Sequence, residues 1–72
     1  MVKYVVIVEK GENSYGAYVP DLPGCVATAE SKDEVLHLIQ EAIELHLESM
    51  REDGLALPAP SSSSEYVEVG VA

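Results

Sequence analysis

The chain has 72 residues, which allows one domain at most. Its residues are 47 % hydrophobic and 24 % charged, and this composition excludes a disordered chain. Its 13 acidic and four basic residues give a formal net charge of -9, which disfavours binding to a nucleic-acid backbone and favours a basic protein partner. A chain this short buries only about 60 % of its unfolded surface, so we expect a homo-oligomer or an obligate partner to supply further stability.

A single cysteine, Cys25, cannot form an internal disulfide, and no charged start followed by an apolar segment precedes the predicted fold. Both features are typical of a cytoplasmic protein rather than a secreted one. No apolar run approaches the roughly 20 residues that a helix needs to cross a bilayer, so we expect no membrane-spanning segment.

The first predicted strand covers residues 2–9, which are largely β-branched or aromatic. Alternation places Tyr4 and Val6 on one face and Val5 and Ile7 on the other. A helix packed on one side of a small sheet leaves the other side exposed, so one of these apolar sets remains uncovered. An uncovered apolar patch of this kind marks an interface.

Two further short strands are predicted in the first half of the chain. A glycine-containing loop, KGENS, leads into a second strand over residues 15–19, so the first two strands form a hairpin. Gly16 lies inside this strand and indicates a bulge or the close approach of another group. The segment CVATA, residues 25–29, is a third strand, although its alanines are poor strand formers.

The segment YVPDLPGC between the second and third strands concentrates unusual residues. Pro20 ends the second strand, and Asp21 is placed to accept hydrogen bonds from its own local backbone. Pro23 and Gly24 occupy the central positions of a predicted type II turn, because proline presets φ and glycine accepts a positive φ. We interpret the segment as a conformational turn, which is formed by Pro20, Asp21, Leu22, Pro23, Gly24 and Cys25.

A helix over residues 32–52 is the clearest predicted element. Ser31 and Glu34 have the spacing of a capping box at its start, and Gly54 is placed to end it. The apolar side chains span roughly 200° of the helix surface, whereas a stripe of about 100° suffices to cover one sheet face, so one flank is left for a partner. This apolar arc includes Val35, Leu36, Leu38, Ile39, Ala42, Ile43, Leu45, His46, Leu47 and Met50.

Three glutamates, Glu41, Glu44 and Glu48, repeat at helical spacing on the other side of this helix. Such a run is most often simply a solvated face, and acidity more often serves solubility than partner binding. The functional alternative is a negative surface offered to a basic protein.

The chain ends in a connector and a predicted fourth strand. LPAPSSSS, residues 57–64, can form neither a helix nor a central strand. Residues 66–71 alternate between valines and other side chains, as in a half-buried strand. The sequence therefore predicts one α+β domain over residues 1–72, a two-layer βββαβ arrangement with a small, mainly antiparallel sheet and one helix on one face.

Catalytic and metal-binding readings find little support. A nucleophilic Cys25 would need His37 or His46 as its base, but no spacing suggests a third orienting residue, and Cys25 is better interpreted as a small core residue. The two histidines are nine residues apart on the helix, hence on opposite sides, and cannot share a metal ion. We therefore predict no catalytic, cofactor-binding or metal-binding residues and no enzymatic activity.

Protein–protein contact is thus the main predicted role of the surface. The tyrosines are better interpreted as strand residues than as base-stacking groups, because few basic residues stand beside them. The candidate interface residues, taken from the first two strands and the helix, are Tyr4, Val6, Tyr18, Leu36, Ile43, His46 and Leu47.

The motifs, taken together in this order, resemble the HicB-like antitoxin family over nearly the whole chain. The resemblance rests on the strand YVVIVE, the turn PDLPGC, the small-residue strand that follows it and the helix segment EAIELH. Any one of these pieces is a weak signal, but their combination is specific. Many members continue into a ribbon-helix-helix or helix-turn-helix domain, and this chain resembles a form without one, so direct binding to DNA is not expected.

The resemblance implies a βββαβ domain described as a partial ribonuclease-H-like fold, which assembles into homodimers or homotetramers. It further implies binding to, and neutralisation of, a small basic HicA-like toxin that cleaves RNA. No cofactor is implied. A solitary oligomeric interaction or regulatory module, without a toxin partner, is the alternative.

Overall fold

A computed structural model describes residues 2–71 and contains three strands followed by one helix. Strand β1 is Ile7–Lys10, β2 is Tyr15–Tyr18, β3 is Val26–Ala29 and helix α1 is Lys32–Glu52. The strands form an antiparallel sheet of order β1-β2-β3. The predicted α+β class with a small antiparallel sheet is confirmed.

One face of the sheet carries small side chains that bring the helix close. The register pairs Ala17 with Val8 on one side and with Ala27 on the other, and all three pack towards the core. Helix α1 lies mainly on β3 and β2 rather than on β1. The alanines that made β3 the weakest strand prediction therefore lie beneath the helix, where small side chains are needed. The buried residues are Ala17, Val19, Leu22, Cys25, Val35 and Ile39.

The turn between β2 and β3 has the predicted conformation. The Cys25 N–H donates to the Leu22 carbonyl at 3.1 Å, and Gly24 has a φ of 86°, as a type II turn requires. A preceding turn is closed by the Leu22 N–H, which donates to the Val19 carbonyl at 3.1 Å. The two successive turns insert the fully buried Leu22 side chain into the core.

Local signals at both ends of α1 account for its length, which coincides with the predicted span. The Glu34 N–H donates to the Ser31 hydroxyl at 3.2 Å, which caps the first turn. Gly54, with a φ of 71°, donates its N–H to the Arg51 carbonyl, and the Leu55 N–H donates to the Met50 carbonyl at 2.9 Å. This pair of bonds is a Schellman motif.

The first strand begins later than predicted, at Ile7 rather than Val2. The register that pairs Ile7 with Tyr18 would place residues 19–21 opposite residues 4–6. The chain turns at those residues, since the Leu22 N–H donates to the Val19 carbonyl and Pro20 has no N–H to donate. Residues 2–6 therefore have no neighbouring strand to pair with.

The predicted fourth strand, residues 66–71, is not formed. Residues 55–71 contain no helix or strand, and in this part of the chain Tyr66 and Val67 are 104 % and 79 % exposed. Alternation alone identifies a segment that can pair, but a strand also requires backbone hydrogen bonds to a neighbouring strand, and residues 66–71 make none within the described chain. The element order within residues 2–71 is therefore βββα. In the same range, no helix combines the length and apolarity that crossing a membrane requires.

Candidate functional site

An open groove lies between the N-terminal segment, residues 2–6, and helix α1. It has a volume of about 710 Å³. The groove exists because α1 is centred on β2 and β3, which leaves the side chains next to β1 only partly covered. Its lining is mainly apolar, and five of the seven candidate interface residues meet in it. The lining residues are Val2, Lys3, Tyr4, Val6, Leu36, Ile39, Gln40, Ile43, Glu44 and Leu47.

Tyr18 is separated from this groove by the sheet. It lies on the face opposite the helix, in a cross-strand row with Ile7 and Val26. Tyr18 is 41 % exposed and Val26 is 64 % exposed, so this outer row is the uncovered apolar sheet face that the sequence predicts. Val6 does not belong to it, because Val6 packs against the core.

The two histidines also lie apart from each other and from the groove. His46 is half-buried on α1 and does not line the groove. The His37 Nε2 atom lies 3.1 Å from the Glu41 Oε1 atom, one turn further along the helix, and both side chains are mostly exposed. Within residues 2–71, no group of three or more histidine, cysteine or acidic side chains is arranged to hold a metal ion.

Cys25 belongs to the core rather than to a reactive loop. Its side chain is 4 % exposed, and it clusters with the other buried residues of the sheet and helix. Burial raises the pKa of the Cys25 thiol, which disfavours the thiolate that a nucleophile requires. The arrangement therefore suits packing better than covalent chemistry.

An acidic helix face, formed by Glu41, Glu44, Leu45 and Glu48, is exposed on α1. The sequence pattern assigns Leu45 to the apolar arc that faces the sheet, yet its side chain is 68 % exposed. An apolar side chain among three carboxylates combines apolar contact area with strong negative charge. This combination suits a basic protein surface better than an apolar ligand.

Asp21 makes long-range contacts that the sequence analysis missed. Its carboxylate accepts hydrogen bonds from the backbone N–H groups of Ser61 and Ser62, both at 3.1 Å, and from their hydroxyl groups, both at 2.9 Å. The bonds from Ser62, above all from its backbone N–H, lower the pKa of Asp21, and those from Ser61 act in the same direction. The prediction that Asp21 bonds its own local backbone is therefore wrong.

A second contact places the connector beside the N-terminal segment, since the Tyr4 hydroxyl donates to the Pro58 carbonyl. Together, these bonds order the serine-rich connector over the PDLPGC turn. The sequence signal for these contacts is the run of four serines after two prolines, because each serine can donate hydrogen bonds from its hydroxyl group. Nothing in the sequence identifies the acceptor of those bonds.

Two similar proteins have family names that state no function. A "UPF0150 protein" of Helicobacter pylori is 46 % identical over 57 residues, which cover 79 % of each chain. A "UPF0150 protein" of Archaeoglobus fulgidus is 45 % identical over 56 residues, which cover 74 % of this chain and 81 % of the relative.

A functional name comes with a more distant relative. "Antitoxin HicB 2" of Photorhabdus laumondii is 29 % identical over 69 residues, which cover 94 % of this chain but 50 % of the relative. This chain thus spans about half the length of that antitoxin. A family model described as "HicB_like antitoxin of bacterial toxin-antitoxin system" matches residues 4–69. The match includes the strands, the PDLPGC turn, the helix and most of the tail, residues 55–71, and the chain therefore belongs to the HicB-like antitoxin family.

Proposed function

We propose that this chain is the antitoxin of a HicA/HicB-type pair, which acts in the cytoplasm and has no catalytic activity. It binds a small basic RNA-cleaving toxin and neutralises it, and it does so as a homodimer or homotetramer. Family membership supports the antitoxin role, and the charge of the chain supports a basic partner.

The acidic helix face is the surface that we assign to the toxin. Its three glutamates and Leu45 are all exposed on α1, and Glu44 also borders the apolar groove. A net charge of -9 accelerates the approach of a basic protein, and complementary charge at the contact then selects its orientation. Leu45 adds apolar area at the centre of the contact, where binding energy is usually concentrated. The exposed Leu45 among the glutamates is the observation that carries this assignment.

A charge reversal on this face tests the assignment. Titration calorimetry would measure the affinity of the wild-type chain and of Glu48→Lys for the basic protein encoded beside its gene. We expect Glu48→Lys to bind at least about tenfold more weakly, because it brings like charges together at the interface. Helix α1 should tolerate the change, since a lysine at this position lies one turn from Glu44 and from Glu52.

Glu12→Lys is the matched control. Glu12 is exposed in the loop between β1 and β2, and its reversal alters the net charge by the same amount. An equal loss of affinity in both variants would show that only overall charge matters and would remove the acidic helix face as the site. Absence of binding by the wild-type chain would contradict the antitoxin proposal itself.

The second candidate function is a solitary oligomeric interaction or regulatory module. The apolar groove and the outer row of Ile7, Tyr18 and Val26 favour it, because both can be covered by copies of the same chain without any toxin. An oligomer in solution that binds no product of a neighbouring gene would support this alternative.

A further inference from the structure

We propose that residues 65–71, the end of the tail, pair with the free edge of β1 in a second copy of the chain. The exchange is reciprocal, so that each copy of a homodimer contributes one strand to the sheet of the other. This inference does not depend on toxin binding. It rests on the exposure of the tail, the open edge of β1 and the charges on each.

The tail has the pattern of a strand but lacks a partner within residues 2–71 of its own chain. Val67, Val69 and Val71 occupy alternate positions of the sequence, and they are 79 %, 76 % and 89 % exposed. Tyr66, which precedes them, is 104 % exposed. Three valines at alternate positions and a tyrosine beside them, all in water, are unusual for a lone segment, whereas they suit a strand added to another sheet.

Strand β1 offers the matching edge. It is the first strand in the order β1-β2-β3, so one side of its backbone faces away from the sheet. The described residues supply no backbone partner on that side, and residues 2–6 extend the same edge. The groove lies beside this edge and provides apolar side chains such as Val6 and Leu36 next to it. The opposite edge, at β3, is closer to the helix, which packs there most extensively.

Charge favours the same pairing. Three of the four basic residues surround this edge: Lys3 lines the groove, Lys10 ends β1, and Lys32 lies in the hollow next to Val6. The tail carries Glu65 and Glu68. In a chain with 13 acids, the only lysines are thus gathered where an acidic strand would dock.

The anchored connector directs the tail outwards rather than along its own sheet. Asp21 holds Ser61 and Ser62, and residues 64–66 come near β1, yet they form no backbone bond with it. The radius of gyration is 14.3 Å, whereas a compact chain of this length would have about 11 Å. A terminal segment that lies outside the core of its own chain can be exchanged between two copies at low cost.

A proline in the tail tests the exchange on the full chain. Val69→Pro removes one N–H from the proposed strand and should leave the monomer intact, because Val69 is 76 % exposed and does not belong to the core cluster. Light scattering coupled to size-exclusion chromatography would measure the mass, and far-ultraviolet circular dichroism would monitor α1. We expect a dimer or larger even-numbered oligomer for the wild type, and a monomer with unchanged helix content for Val69→Pro.

Val26→Asp is the companion variant, because Val26 is similarly exposed but lies on the outer row. A monomeric wild type, or a Val69→Pro chain that keeps its oligomeric mass, overturns the exchange. In the second case, a monomeric Val26→Asp would assign the interface to the outer row instead. Hydrogen exchange adds an independent readout: amides of residues 2–6 and 66–71 should be protected together in the wild type and exposed together in Val69→Pro.

Discussion

The body of the domain, residues 7–54, and the tail, residues 55–71, differ in how they are held. All buried residues of the described chain lie in the body, between Ala17 and Ile39. The tail is held by hydrogen bonds to Asp21 and Tyr4, and its large apolar side chains are exposed. The body is therefore stabilised by packing within one chain, whereas hydrogen bonds position the connector and leave the valines after it in solvent.

Removal of a core side chain should cause the largest loss of stability among the variants that compare the body with the tail. Leu22 is fully buried, so Leu22→Ala is expected to lower the free energy of unfolding by about 2 to 5 kcal/mol. Leu57→Ala, in the tail, removes a side chain that is 45 % exposed and should cost well under about 2 kcal/mol. Urea denaturation of both variants at one protein concentration measures the difference. Equal losses would mean that the tail belongs to the core.

Gly24→Ala should have the next largest effect. At a φ of 86°, a Cβ atom is strained even though no other atom lies within 4 Å of it, so we expect a loss of about 1 to 2 kcal/mol. Gly70→Ala is the control in the tail, where φ is not in the positive range and the space is also open. Thermal unfolding followed by circular dichroism would compare them. A Gly24→Ala chain as stable as Gly70→Ala would contradict the type II turn.

The link between Asp21 and the connector should depend on pH. Because hydrogen bonds lower the pKa of Asp21 below 3.8, the ionised carboxylate holds the connector above that pH, and the link is lost as the pH falls through the lowered pKa. The protection of the Ser61 and Ser62 amides from hydrogen exchange, relative to their intrinsic rates at each pH, should fall over that range, while protection in α1 does not. Asp21→Asn should show this reduced protection already at neutral pH, and Glu12→Gln should not. Unchanged protection in Asp21→Asn would contradict the link.

Removal of the exposed contact between His37 and Glu41 should have the smallest effect on stability. Both side chains are mostly in solvent, so His37→Ala is expected to change the free energy of unfolding by no more than about 0.5 kcal/mol. Chemical denaturation near pH 6 would measure it. A loss comparable to that of Leu22→Ala would show that this side of α1 is packed rather than open.

The parts of the fold that sequence reasoning predicted well depend on neighbouring residues. Ser31, Glu34 and Gly54 define the helix within their own turns, and Pro23 and Gly24 define the reversal within four residues. The start of β1 and the state of residues 66–71 could not be predicted in this way. Each depends on whether a strand is available opposite it, and that is a property of distant chain segments.

The candidate site divides along the same line. Helical periodicity brought Leu36, Ile43 and Leu47 to one flank, and they do line the groove. The sequence could not separate Tyr18 from these helix residues, because Tyr18 lies on β2 and only the strand register shows that it faces the other side of the sheet. Leu45 was assigned to the apolar arc for a similar reason, since an arc wider than the sheet leaves its margins in solvent.

Co-expression with the protein encoded beside its gene tests the antitoxin proposal most directly. The growth of a bacterial host would be followed with the neighbouring protein alone, with this chain alone and with both together. The proposal predicts that the neighbouring protein stops growth by degrading RNA and that the chain restores growth when both are made. Continued growth arrest in the presence of the folded chain would contradict it.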